Sequence, residues 1–154
     1  MHIRPPAYRM ARFRKADQLY YSAEAAAGVA YLAACPSLED AQRFLAHHIR
    51  QPWWTSLCPQ VPDIELRYIP KVQVSGTTRE RGKFVISCAL NRLHEGIIAH
   101  EMAHVPTWNP DLSHLDHGRA FAMAHLEILR NVADPWLVAR FRHELESRGI
   151  LSHE

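Results

Sequence analysis

The chain has 154 residues, 47% of them hydrophobic and 22% charged, with a formal net charge of +2; this is the profile of one globular domain. No apolar run reaches the about 18 residues of a membrane-spanning helix, and the charge is too small to demand a nucleic-acid partner. The three cysteines, Cys35, Cys58 and Cys88, are odd in number and irregularly spaced, which speaks against a disulfide framework or a zinc ribbon and predicts reduced thiols in a cytoplasmic protein.

Residues 1–16 include Arg4, Arg9, Arg12, Arg14 and Lys15 with no apolar run behind them, so a flexible basic arm is expected rather than a secretory signal. Such an arm can touch phosphates, but a solvated terminus is the commoner role. The domain proper is expected over 17–150. From about Asp17 to about Ala34, Leu19, Tyr20, Ala23, Ala27, Ala30 and Tyr31 recur at near-helical spacing, with Gly28 weakening the middle and Pro36 closing the segment. Ser37 then reads as an N-cap, followed by the acidic first turn of Glu39 and Asp40. The helix it opens has an apolar face of Ala41, Phe44, Leu45 and Ile49 and stops before Pro52. These two helices are expected to form an N-terminal pair.

Trp53 and Trp54 follow on a turn, where adjacent residues divide between core and surface. Between Asp63 and Ser75, Ile64, Leu66, Tyr68, Val72 and Val74 alternate, interrupted by Pro70, and predict strand. Gly76 to Gly82 reads as a polar connection, and Lys83 to Cys88 as another strand. A sheet of about three strands thus precedes the next helix.

That helix, predicted from about Arg92 to about Val105 with Asn91 as N-cap and Pro106 as stop, carries His100-Glu101-Met102-Ala103-His104. Histidines four apart stand one turn above the other on a helix and can close on one metal ion. Glu101 lies beside them, placed to take a proton from a water that the metal acidifies. Ile98, Met102 and Val105 mark a buried back, leaving a polar front. A catalytic zinc takes a third protein ligand. The metzincin spacing is absent, because Thr107 and Pro110 stand where it needs Gly and His. His117, followed by Gly118 and Phe121 at the head of a helical pattern of Ala120, Phe121, Ala124, Ile128 and Leu129, is the stronger candidate. Glu127, 23 residues beyond His104, and His114 are the alternatives, and Asp116 reads as a cap or supporting acid. After Asp134-Pro135, an N-cap and first turn, Trp136, Leu137, Phe141 and Leu145 predict a last helix ending near Gly149.

His100-Glu101-x-x-His104 and, after twelve residues, His117-Gly118-x-x-Phe121 resemble the SprT-like zinc peptidase pattern. They resemble more closely the small metallohydrolase family of actinobacteria and their phages, whose N-terminal helix signature is similar to Asp17–Glu24 here. The resemblance implies zinc on His100, His104 and His117 with Glu101 as base. The chain departs from it at Pro106-Thr107-Trp108-Asn109-Pro110, just after the metal helix, where relatives commonly carry an apolar residue or another histidine.

The expected fold is therefore α+β, a zincin-like, minimal gluzincin-like single domain: a small sheet packed by the H-E-x-x-H helix, with an N-terminal helix pair and a C-terminal helix. The expected function is zinc-dependent hydrolysis of peptide bonds in a peptide or protein substrate. A zinc amidase or deacylase acting on a small molecule, or a zinc-holding regulatory module without turnover, are the rival readings. His114, Arg119 and Tyr68 are candidate second oxyanion donors, and His94, on roughly the face of Glu101, is a candidate substrate contact.

Overall fold

The computed structural model describes residues 7–29, 32–60, 63–69, 75–88, 93–109 and 117–152, with side chains at residue 15 and from residue 17 onward. Among these, six helices and one three-stranded sheet make an α+β fold. No helix of the described residues is long and apolar enough to cross a membrane.

Helix α1 spans Ala7–Ala27, so it begins within the segment expected to be an arm and ends well before Ala34. Gly28 stops it. With φ +77 it adopts the left-handed conformation that ends a helix at no steric cost to glycine. Ala30 and Tyr31, expected on the same helix, lie outside the described residues. Helix α2 (Leu38–His48) opens as expected on Ser37, whose hydroxyl accepts from the Asp40 amide at 3.2 Å. The expected pairing of these two helices is not what packs: α1 lies on the last helix, while α2 lies on the sheet and the metal helix. The link between them crosses the start of that metal helix, with Ala34 bridging to His94 and the Glu95 amide donating to the Ala33 carbonyl at 3.0 Å.

Pro52 opens a short helix, α3 (Pro52–Leu57), in place of a turn. Trp54 is fully buried and Trp53 half-buried, the division expected of the pair. The sheet holds β1 (Ile64–Tyr68), β2 (Gly76–Glu80) and β3 (Lys83–Cys88) in the order β1-β3-β2. β1 runs parallel to the central β3, and β2 antiparallel to it. The segment expected to be a polar connection is thus an edge strand. Arg81 and Gly82, at φ +48 and +82, form its two-residue hairpin, the turn whose twist suits antiparallel strands. Pro70, Val72 and Val74 lie outside the described residues.

Helix α4 (Glu95–Ala103) carries the paired histidines and starts later than predicted, since His94 has the extended backbone of an N-cap. Asn91 and Arg92 lie outside the described residues. Gly96 lets the α1–α2 link lie against α4, because a Cβ there would fall inside the Val29 carbonyl. Helix α5 (Arg119–Val132) follows with Gly118 at its N-cap, and α6 (Pro135–Ser147) opens on Asp134 as predicted. It closes on Gly149 at φ +72, with the Ile150 amide donating to Leu145 at 2.9 Å and the Gly149 amide to Glu146 at 3.0 Å. Trp136, expected on the apolar face, stands 67% exposed under the Arg140 guanidinium.

Ile98 and Met102 of α4, Ile86 of β3, Leu129 of α5 and Phe141 of α6 form one continuous core. Each such side chain contributes roughly 1.5–3 kcal/mol by leaving water. This fixes α4 between the sheet and α5.

Candidate metal centre

His100 and His104 are separated by one turn of α4, and His104, the C-cap, keeps helical backbone angles. His117 lies just before α5. The three imidazole centroids form a near-equilateral triangle with sides of 5.3, 5.0 and 5.0 Å. One ligating nitrogen from each falls within 4.8 Å of the others. Phe121, buried one turn into α5, packs 4.4 Å from His104 and 4.7 Å from His117, so the motif's phenylalanine supports the triangle from the protein side. The helix front expected to be polar is covered: His100, Glu101, His104 and His117 are between 2% and 6% exposed.

Helix α1 supplies the cover, and two of its carboxylates orient the ligands. Asp17 Oδ1 lies 2.6 Å from His117 Nδ1, and the Glu24 carboxylate lies 2.9 Å from His100 Nδ1. A carboxylate only accepts, so each Nδ1 carries the proton and each Nε2 is left with its lone pair. Yet the two Nε2 atoms face each other at 3.1 Å. Two lone pairs at that distance repel unless a cation lies between them. The separation also approaches the about 3.3 Å edge of a tetrahedral zinc site with nitrogen ligands. The donor set therefore fits a divalent metal on His100, His104 and His117, and with no metal a shared proton must serve instead. Burial opposes charge on His100, but Glu24, Glu101 and Asp17 outweigh it and hold this imidazole up at about 9.

A second set, Glu24, His100 and His125, also lies within ligating distance. His125 is fully buried, its Nδ1 is 2.7 Å from the Tyr20 hydroxyl, and burial drives it well below its usual pKa. Since Glu24 already occupies His100 Nδ1, this set reads as a support behind the triangle, with neutral His125 beside the Glu24 carboxylate.

Glu101 Oε2 accepts from the Thr77 hydroxyl at 2.6 Å, and that hydroxyl also lies 3.0 Å from the Glu101 carbonyl. Burial raises the Glu101 pKa, opposed by His100, Thr77 and His117. A carboxylate raised in this way is a stronger base than one in water. Strand β2 thus holds the candidate base, and α1 holds two of the candidate ligands.

The alternatives to His117 are placed elsewhere or not described. Glu127 faces outward, paired with Arg130 at 3.0 Å, and His114 and Asp116 lie outside the described residues. Arg119 donates to Ser152 at 3.3 Å, and Tyr68 ends β1 at the opposite edge of the sheet from β2. His94 lies 3.0 Å from the Leu32 carbonyl through Nδ1. A cavity of about 360 Å³ between α2 and β1, lined by Leu45, Ile64 and Lys83 among others, contains none of the metal-centre residues. Asp17, Glu24 and Thr77 are the site residues sequence reasoning missed. The seven-residue spacing of Asp17 and Glu24, which puts both on one face of a helix, was the available signal. For Thr77 there was none. No protein-family model, curated protein or solved structure matches the chain.

Proposed function

We propose that the protein is a zinc-dependent metallohydrolase of zincin-like architecture that cleaves peptide bonds, with His100, His104 and His117 holding the ion and Glu101 as the base. The observation that carries this reading is the base beside the triangle: a metal held for structure alone requires no buried carboxylate with a raised pKa. Bound there, zinc would polarise the substrate carbonyl and acidify a water. Glu101 takes the proton of the attacking water and passes it to the leaving nitrogen, while the Thr77 hydroxyl fixes one carboxylate oxygen and leaves the other for that proton. Asp17 and Glu24 keep both Nε2 lone pairs aimed inward throughout.

A peptide is favoured over a small molecule by the position of β2. Among the described residues this strand pairs only with β3, so its outer edge offers main-chain hydrogen bonds beside the base that Thr77 holds. The three cysteines are unpaired, in keeping with a reducing cytoplasm. Metal analysis of the purified chain, followed by cleavage of a peptide library by wild type and Glu101→Gln, tests the reading. One zinc per chain is expected in both proteins and cleavage only in wild type. Equal cleavage by the two would remove Glu101 as base, and absence of bound metal would remove the proposal.

A further inference from the structure

Among the described side chains of α1, four face the candidate metal centre, and three of them have evident tasks. Asp17 and Glu24 orient ligands, and Tyr20 is fully buried with its hydroxyl on His125. The fourth is Tyr21. Its ring stacks on His100 with centroids 5.9 Å apart and an interplanar angle of 17°, and lies 5.4 Å from His117. It therefore covers the two imidazoles whose Nε2 atoms converge. It is also 52% exposed, whereas the three ligands and the base beneath it are nearly closed to solvent. Phe121 and Tyr20 against the triangle are buried, so among the described residues Tyr21 is the aromatic that joins it to solvent.

A tyrosine placed only to pack would bury its ring. This one leaves half its surface in solvent above a metal centre, with the charges of Asp17, Glu101 and Glu24 around its phenol. An ordinary phenol is protonated at neutral pH, so the hydroxyl is available as a hydrogen-bond donor.

We propose that Tyr21 is a catalytic residue, the second oxyanion donor of the site, whose hydroxyl hydrogen-bonds the oxygen of the substrate carbonyl as that carbonyl is attacked. The inference rests on the hydrolase reading. When the carbon–oxygen π bond opens, its electron pair moves onto the oxygen, and the Tyr21 O–H donates a hydrogen bond to that charge without giving up its proton. The pair returns as the carbon–nitrogen bond breaks. Tyr21 is neutral before and after. This assigns the role to α1, where neither Arg119 nor Tyr68 is placed to perform it.

Tyr21→Phe removes the hydroxyl and keeps the stacked ring. Its readouts in the full zinc-loaded chain are zinc affinity, by chelator competition, and affinity for a phosphinic tetrapeptide, by calorimetry. The phosphinate oxygen carries the charge of the tetrahedral oxyanion. The expected result is unchanged zinc affinity, phosphinate binding weaker by about tenfold or more, and kcat on a cleaved peptide lower by about a hundredfold with little change in KM. Unchanged phosphinate affinity overturns the inference, as does a wild-type zinc protein that binds no phosphinate. Loss of zinc in Tyr21→Phe also overturns it, because the residue is then structural. Glu101→Gln separates the two readings. If peptide cleavage disappears in Glu101→Gln but survives in Tyr21→Phe at full rate, Tyr21 alone is refuted. If wild type and Glu101→Gln are equally inert while Tyr21→Phe weakens the phosphinate, the hydrolase reading fails and the donor placement stands.

Discussion

Thr77, on an edge strand, holds the carboxylate of Glu101, on the metal helix, at 2.6 Å. The bond crosses from sheet to helix and favours the ionised form of a carboxylate whose pKa burial raises. Thr77→Val keeps the shape and removes the donor. The Glu101 pKa then rises further, so the acidic limb of the pH–rate profile moves to higher pH. Folding stability falls by about 1–3 kcal/mol, since a buried carboxylate loses a partner. Rate profiles with a cleaved peptide and urea titrations check the two effects.

Asp17→Asn and Glu24→Gln each leave a neutral side chain in place of the carboxylate that fixes a ligand tautomer. Zinc affinity is expected to fall about tenfold to a hundredfold in each, and further in the double variant. Chelator competition at constant pH measures this. Affinities within twofold of wild type would mean that α1 covers the site without orienting it.

The metal-free protein should respond to pH in the sense opposite to an acid-sensitive fold. His100 sits at about 9 when folded, above its ordinary value near 6.5. The ion pair with Glu24 therefore stabilises the metal-free fold fully below about pH 6.5 and is lost as pH rises through about 9. Chelator-treated protein is expected to melt about 5 °C lower at pH 10 than at pH 6.5. Zinc must displace the same proton, so apparent affinity rises about tenfold per pH unit up to about pH 9 and then levels. Calorimetry in buffers of different ionisation enthalpy counts the proton released.

Gly96→Ala tests the crossing of the α1–α2 link over α4. The added methyl meets the Val29 carbonyl, which is backbone and cannot swing aside. A loss of about 2–3 kcal/mol is expected, read as a fall in Tm.

The sequence made the histidine cluster legible because its members are local: His100 and His104 share one helix with Glu101 between them, and His117 stands just before the next. The supports are less legible: the spacing of Asp17 and Glu24 marks a shared helix face but not what that face meets. Asp17 and Glu24 meet their histidines across 100 and 76 residues, a distance over which spacing carries no information. Strand β2 escaped because only Thr77 of its five residues is buried, so its alternation between faces does not register as alternation in polarity. In the sequence Gly28 reads as a weak point in a helix rather than as its end, which depends on a left-handed φ that the bare residue type permits without requiring.

The hydrogen bond from His117 Nδ1 to the Asp17 carboxylate closes a segment of 100 residues on itself. With a metal joining His117 to His100 and His104, the first helix is tied to the second half of the chain at the centre of the molecule. Such a tie restricts the chain in the way a cross-link does, and for a covalent link spanning about 100 residues the loop-closure effect is on the order of 5 kcal/mol. A metal held there with the two carboxylates would act as a reversible staple, and a chelator would then act on the whole domain, starting with the grip on α1.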